Sequence, residues 1–244
     1  IWFILGMIPF FLWVRDPKQS TVSVFKITDA IKSLGQTLTQ LPAQRSLMAY
    51  LVSSMFYRDA LNGIFTFGGL YAAGVLEWSV VDTGIFGILA IITGAIFAWI
   101  GGRADAKFGP KPVITICVLT LTVVAILVVF VNREAVFGIP VSPDSSLPDV
   151  AFYILGGTIG AAGGALQSAS RTMMVHQANP ERMTEAFGLY ALAGKATSFL
   201  APFLIFFVTS ATGSQVLGIT PLIALFLIGL ILLKWVKPDG EQYS

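Results

Sequence analysis

The sequence predicts an all-α fold, a polytopic bundle of transmembrane helices. Hydrophobic residues make up 55% of the 244-residue chain and charged residues only 11%, whereas about a quarter of the residues in soluble domains are charged. A helix needs about 20 apolar residues to cross a hydrocarbon core. Six runs come near or exceed that length, at residues 47–76, 83–100, 113–131, 150–169, 186–210 and 216–233.

The basic residues alternate between the gaps that separate these runs. Of the 15 Lys and Arg residues, twelve precede the first run, follow the last, or fall in the gaps 101–112 and 170–185. The other gaps hold Arg133 and mainly acidic residues. Because Lys and Arg are enriched in cytoplasmic loops, we expect the basic gaps and the C-terminus to be cytoplasmic, in the plasma (inner) membrane if the protein is bacterial. The net charge of +2 is too small and scattered for nucleic-acid binding.

The first 46 residues precede the six runs. Residues 1–14 are apolar but short for a span, so we expect the end of a truncated helix that belongs to a longer protein with an N-terminal helical bundle. Residues 15–46 predict a cytoplasmic linker with an amphipathic helix, which either lies on the membrane surface or packs on the helix ends. Its apolar face would contain Val24, Ile27, Ile31, Leu34 and Leu38. A six-helix bundle at 47–236 and a cytoplasmic tail at 237–244 follow.

Three charged residues lie inside apolar runs: Arg58, Asp59 and Lys195. Each costs roughly 2.5–3.5 kcal/mol at a helix centre, so such residues usually have a function. All three lie about 16–18 Å deep at a rise of about 1.5 Å per residue. Equal depth allows Asp59 to pair with Lys195 and leaves Arg58 for water or an anionic group of a substrate. We predict roles in substrate binding or proton coupling, with an ion pair that only joins two helices as the alternative.

Polar and aromatic side chains in the same runs predict the lining of a solute cavity, although ordinary helix packing would also account for any one of them. They are Tyr57, Asn62, Gln167 and Tyr190. Small residues at steps of four let transmembrane helices approach closely, and Gly156, Gly160 and Gly164 therefore predict a packing surface on the run 150–169.

The gap 101–111 predicts a cytoplasmic gate, because its acidic and basic residues can pair and release helix ends as a bundle moves. The candidates are Asp105, Lys107 and, beyond the run 150–169, Arg171. Three prolines indicate that the outer gap 132–149 is a loop rather than a helix.

No cofactor, metal site or enzyme active site is predicted. His176 is the single histidine and Cys117 the single cysteine, and neither makes a metal site or a disulfide alone. Gly194-Lys195 fails as the end of a phosphate loop, because position 189 is Leu and position 196 is Ala. The chain is therefore not predicted to be an ATP-driven pump.

The pattern Gly101-x-x-x-Asp105 with Gly109-x-Lys111 resembles the signature loop between helices eight and nine of the major facilitator superfamily. The stretches 57–62, 67–74, 164–171 and 187–199 resemble the autophagy-related vacuole effluxer family and its bacterial relatives, most specifically at 194–198. The resemblance covers residues 47–236. It implies helices seven to twelve of a twelve-helix fold, with residues 1–14 as the end of helix six, and the efflux of amino acids or similar small solutes.

The sequence thus predicts a secondary transporter in which two helical bundles rock around a midplane site within the lipid bilayer. Asp59 would carry a proton if it is unpaired in one state, whereas a permanent pair with Lys195 would favour uniport. The alternative is a non-transporting membrane receptor or scaffold subunit. Water access to Asp59 from both sides would distinguish the two.

Overall fold

The computed structural model describes residues 6–9, 12, 44–142 and 144–240. The chain divides into two compact units, residues 1–39 and 40–244. In the first unit the described residues, 6–9 and 12, are helical. The rest of the predicted truncated helix and all of the predicted amphipathic helix lie outside the described residues, so both stay predictions.

The second unit is a helical bundle, as the sequence predicts. Its α-helices in the described residues are α1 (Arg45–Val75), α2 (Val80–Phe108), α3 (Pro110–Val129), α4 (Leu147–Gln177), α5 (Met183–Ala196), α6 (Leu200–Thr212), α7 (Gln215–Gly218) and α8 (Thr220–Leu232). Short 3-10 turns lie at Pro180–Arg182 and Leu233–Trp235.

Five segments in the described part of the chain are long and apolar enough to cross a membrane. They are Val80–Phe108, Pro110–Val129, Leu147–Gln177, Pro180–Thr212 and Gln215–Trp235. Helix α1 has 31 residues, ample for a span, but it is more polar than these five. It contacts α2, α4, α5, α6 and α8, so the polar side chains that lower its hydropathy are placed among other helices.

The predicted fifth span, 186–210, is not one continuous helix. Helix α5 ends at Ala196, residues 197–199 form a turn, and α6 begins at Leu200. Pro202 explains the interruption, because proline has no N–H to donate to the carbonyl of Ser198 and its ring clashes with that carbonyl in a continuous helix. Pro202 lies in the first turn of α6, where a missing N–H is tolerated.

Helices α2 and α4 pack along the predicted glycine surface. A Cβ added to Gly164 would lie 2.7 Å from the carbonyl carbon of Gly94 and 2.8 Å from its Cα. One added to Gly160 would lie 2.7 Å from the Cα of Ala90. The two backbones are therefore nearly in contact, and only glycine fits at these positions.

The segment 132–149, predicted to be an outer loop, contains a short hairpin as well as a loop. Strands β1 (Ala135–Val136) and β2 (Ile139–Pro140) pair antiparallel, with Val136 opposite Ile139. Phe137 and Gly138 have φ of 52° and 82°, as a two-residue hairpin turn of the favoured twist requires. The predicted loop boundary was wrong at its C-terminal side, since α4 begins at Leu147 and contains Pro148 in its first turn.

Hydrogen bonds join several helix ends at one end of the bundle. These helix ends border the predicted basic segments 15–46, 101–112 and 170–185 and the segment that follows the last run. The Ser46 hydroxyl donates to the Gln177 side chain at 2.5 Å and accepts the Lys237 N–H at 2.9 Å. The Lys111 ammonium donates to the carbonyl of Val236 at 2.6 Å. We call this the basic end. At the other end, Arg133 pairs with Asp149 at 3.0 Å. The helices therefore alternate in direction as predicted.

Candidate functional site

The centre of α1 places a carboxylate against the interrupted helix. Asp59 is 2% exposed, and its Oδ2 accepts the backbone N–H of Ala201 at 2.8 Å. Ala201 is the second residue of α6, whose first N–H groups have no partner within the helix. The Asp59 carboxylate thus caps α6 from another helix, where the partial positive charge of the helix N-terminus favours an anion.

Asp59 and the turn that precedes α6 each contribute one buried oxygen that has no hydrogen-bond partner among the described residues. These oxygens are Oδ1 of Asp59 and Oγ1 of Thr197, which lies in the turn between α5 and α6. An unpaired buried acceptor costs about 1–3 kcal/mol, more if charged. The site therefore has unused binding capacity beside its one capping bond.

Arg58 is held on the other side of the same helix turn by α5. Its Nη1 donates to the carbonyl of Tyr190 at 2.9 Å, and its guanidinium carbon lies 4.0 Å from the centre of the Tyr190 ring. A Cβ at Gly194 would lie 2.5–2.7 Å from the guanidinium group. The missing side chain of Gly194 thus makes room for Arg58, which is partly exposed.

A tyrosine cluster lies next to Arg58 towards the basic end. The Tyr50 hydroxyl donates to the carbonyl of Ser170 at 2.5 Å, and the Tyr57 hydroxyl is 3.0 Å from the Ser170 hydroxyl. The rings of Tyr50 and Tyr190 stack at 6.1 Å. Helices α1, α4 and α5 therefore meet through hydroxyl groups and aromatic rings, and Tyr57 and Tyr190 belong to this cluster.

Sequence reasoning missed Tyr50 and Ser170. Tyr50 lies seven residues before Tyr57, on the same face of a helix with 3.6 residues per turn, and this spacing is the signal that could have identified it. Ser170 falls within the stretch 164–171 that carries the family resemblance, but no role was predicted for it. Its role depends on which side chains of α1 face it, and the sequence does not show that.

The expected pair of Asp59 with Lys195 is absent from the structure. The Asp59 carboxylate is buried against α6, whereas Lys195 ends α5 with an exposed side chain. The equal depth of the two residues was predicted from an unbroken helix. The turn at 197–199 interrupts the helix one residue after Lys195. The backbone N–H of Ala201, and not the Lys195 ammonium, is therefore the group that contacts the Asp59 carboxylate.

The remaining predicted cavity residues are both exposed. Gln167 lines a cavity of about 450 Å³ between α1, α2 and α4, together with Phe65 and several glycines. Asn62 is exposed on α1 but is not part of that lining. The structure therefore places Gln167, and not Asn62, at this cavity.

The predicted gate residues lie near the basic end without the expected charge pairing. Asp105 is 5% exposed, and its Oδ1 has no partner among the described residues. The exposed Lys107 ammonium lies 5.1 Å from the ring of Phe108. Arg171 is exposed at the end of α4. Neither cation forms an ion pair with Asp105 in the structure.

Comparisons with known proteins agree with this architecture. The sequence model of the family described as "Vacuole effluxer Atg22 like" matches residues 1–241. An "Uncharacterized MFS-type transporter YxiO" of Bacillus subtilis (strain 168) is 24% identical over 215 residues, which cover 87% of this chain and 46% of the relative. An "Autophagy-related protein 22" of Coccidioides immitis (strain RS) is 22% identical over 231 residues, covering 87% and 37%. The chain therefore spans less than half the length of these curated relatives.

Proposed function

Because the chain belongs to the vacuole effluxer Atg22-like family, we propose that it is the C-terminal bundle of a secondary active transporter for small solutes, with amino acids as the first class to test. The N-terminal bundle would be its partner in the same protein, and a solute site would lie between the two. The basic end would face the cytoplasm, with the C-terminus on that side.

The observation that carries the proposal is the placement of Arg58. A cation at the centre of a transmembrane bundle is retained at a cost. Arg58 uses one N–H for the Tyr190 carbonyl and stacks on the Tyr190 ring. The planar guanidinium keeps further donors in a rigid fork that matches a carboxylate. The arrangement supports the binding of an anionic group, such as the carboxylate of an amino acid.

The interrupted helix beside Arg58 supports alternating access. Transporters commonly place their sites at discontinuous helices near the membrane midplane. Here the turn at 197–199 lies between the half-helix that holds Arg58 and the half-helix that Asp59 caps. A tilt of α5 against α6 would change the contact of Arg58 with Tyr190 and that of Asp59 with Ala201. Binding of a solute at Arg58 would therefore depend on the conformation of the interrupted helix. Lys195, directly before the turn, would be a further coupling group.

The gate at the basic end remains part of the proposal. Asp105 supports it, because its buried Oδ1 offers an acceptor that no described residue uses. Lys107 and Arg171 would supply charges to that end of the bundle in another conformation. Gln167, on the 450 Å³ cavity, would contact the solute on its path.

The test is the uptake and efflux of a labelled amino-acid panel in proteoliposomes of the full-length protein. We expect saturable flux. Arg58→Lys should raise KM about 10- to 100-fold, since charged hydrogen bonds contribute about 1.5–3 kcal/mol and lysine cannot reproduce the fork. Gly194→Ala should also raise KM, because the new methyl group occupies the place of the guanidinium.

Gly188→Ala is the matched control, because a Cβ at Gly188 on the same helix meets nothing within 4 Å. It should transport like the wild type. Flux with an unchanged KM in Arg58→Lys would refute the role of Arg58. Absence of flux for the whole panel would remove amino acids from the proposal.

A further inference from the structure

Asp59 is sealed from any organic solute, in contrast to Arg58. Its Oδ1 is buried and has no partner among the described residues, although the side chain is ionisable and lies near the helix centre. The partial charge of about +0.5 at the N-terminus of α6 compensates only part of a full negative charge. A buried carboxylate needs more compensation than that, and the remaining partner must be small enough to lose its water.

Thr197 offers a second oxygen within one helical turn of the capped amide. Its carbonyl accepts the Leu200 N–H at 2.8 Å, and the next residue, Ala201, donates its N–H to Asp59 at 2.8 Å. The Thr197 hydroxyl is buried and has no partner among the described residues. A metal ion at Asp59 would use this hydroxyl oxygen as a second side-chain ligand.

The turn also frees backbone oxygen. The carbonyl of Ser198 has no helical donor because Pro202 lacks an N–H. Unwound carbonyls and the C-terminal ends of half-helices coordinate Na⁺ in other transporters with discontinuous helices, and Thr197 lies at the C-terminal end of α5. Hard cations prefer ligands of this kind, carboxylate, hydroxyl and carbonyl oxygens.

The charge at the site fits a monovalent ion. Asp59 is its single carboxylate, and no group of three or more His, Cys, Asp and Glu residues that could hold a metal occurs in the described residues. Lys195 is the cation that precedes the turn, and its side chain is exposed and unpaired with Asp59. We propose that a sodium ion binds at the turn between α5 and α6, with Asp59 Oδ1 and Thr197 Oγ1 as its side-chain ligands.

Only the role of the sodium site rests on the proposed function, because that role is the coupling of solute movement to a sodium gradient. Binding itself is measured without solute. The full-length protein in detergent is titrated with NaCl against choline chloride at constant ionic strength, and the midpoint of thermal unfolding is followed. A ligand that binds only the folded state raises this midpoint in a concentration-dependent way.

We expect saturable stabilisation of the wild type by Na⁺. Thr197→Val removes the hydroxyl with little change of shape and should weaken Na⁺ binding at least about tenfold, as the loss of one charge-assisted contact implies. Thr197→Ser should bind like the wild type. Asp59→Asn should show no stabilisation by Na⁺. If this variant does not fold, the comparison of Thr197→Val with Thr197→Ser tests the site.

Thr158→Val is the matched control, because the Thr158 hydroxyl donates to the Ile154 carbonyl within its own helix at 2.9 Å. It should keep the sodium response. No effect of Na⁺ on the wild type, or equal affinities of Thr197→Val and Thr197→Ser, would overturn the site. Proton-driven flux without a sodium response would overturn it and leave the proposed function standing. Sodium binding without amino-acid flux would support the site and remove the proposed solute.

Discussion

The close approach of α2 and α4 makes Gly164→Ala the most direct test of the packing. The added Cβ would lie 2.7 and 2.8 Å from backbone atoms of Gly94, well inside ordinary contact. A backbone cannot rotate away as a side chain can, so the helices must separate along their length. Overpacking of this kind costs about 1–3 kcal/mol, and in a chain of this size that lowers the unfolding midpoint by roughly 2–10 °C.

Two neighbouring glycines give the comparison. A Cβ at Gly157 would meet the Leu89 side chain at 3.7 Å, and one at Gly94 would lie 3.2 Å from the Gly160 carbonyl oxygen. Gly157→Ala should therefore be neutral or stabilising by up to about 1 kcal/mol, the helix propensity of alanine over glycine, and Gly94→Ala should fall between. Cys117, 7% exposed, reports unfolding through its reaction with a thiol dye. A midpoint of Gly164→Ala equal to or above that of Gly157→Ala would refute the reasoning.

Two further predictions concern the ends of the bundle. Tyr71→Phe removes a hydroxyl that donates to the carbonyls of Val128 and Val131 at 3.1 and 2.9 Å, and thermal unfolding should show a loss of about 1 kcal/mol; an unchanged midpoint would contradict these bonds. Gln177→Ala removes the donor to the Lys237 carbonyl at 2.7 Å, so limited trypsin digestion should cleave the loosened segment faster after Lys234. His176→Ala, which loses only an exposed 3.3 Å contact to Pro238, should not.

The fold was predictable because length and polarity of the apolar runs depend on local sequence. The runs and the alternation of basic gaps predicted the helices and their directions. The interruption at 197–199 was not predicted, although Pro202 stands in the sequence as its signal. A proline inside an apolar run either kinks a helix or begins a new one. Here a new helix begins, and the carboxylate of Asp59, which is distant in sequence, stabilises its N-terminus.

The sequence identified two of the candidate site's charged residues but not their partners, and the roles of these residues stay predictions. The cost of charge in a membrane identified Arg58 and Asp59. The equal depth of Asp59 and Lys195 in the membrane suggested that they pair. Depth gives the position of a residue along its helix axis but not the direction in which its side chain points. The direction of each side chain depends on the rotation of its helix, and the space that Gly194 leaves for Arg58 has no signature in a single sequence.

The contact of Lys237 with Ser46 and Gln177 has a practical consequence for labelling. These hydrogen bonds hold Lys237 to the start of α1 and the end of α4, so a fluorophore attached beside Lys237 has a fixed orientation relative to the bundle. Distances measured from such a probe to a second one on the proposed N-terminal bundle would record rotation of this bundle as a whole. A probe on a long flexible tail would average that information away.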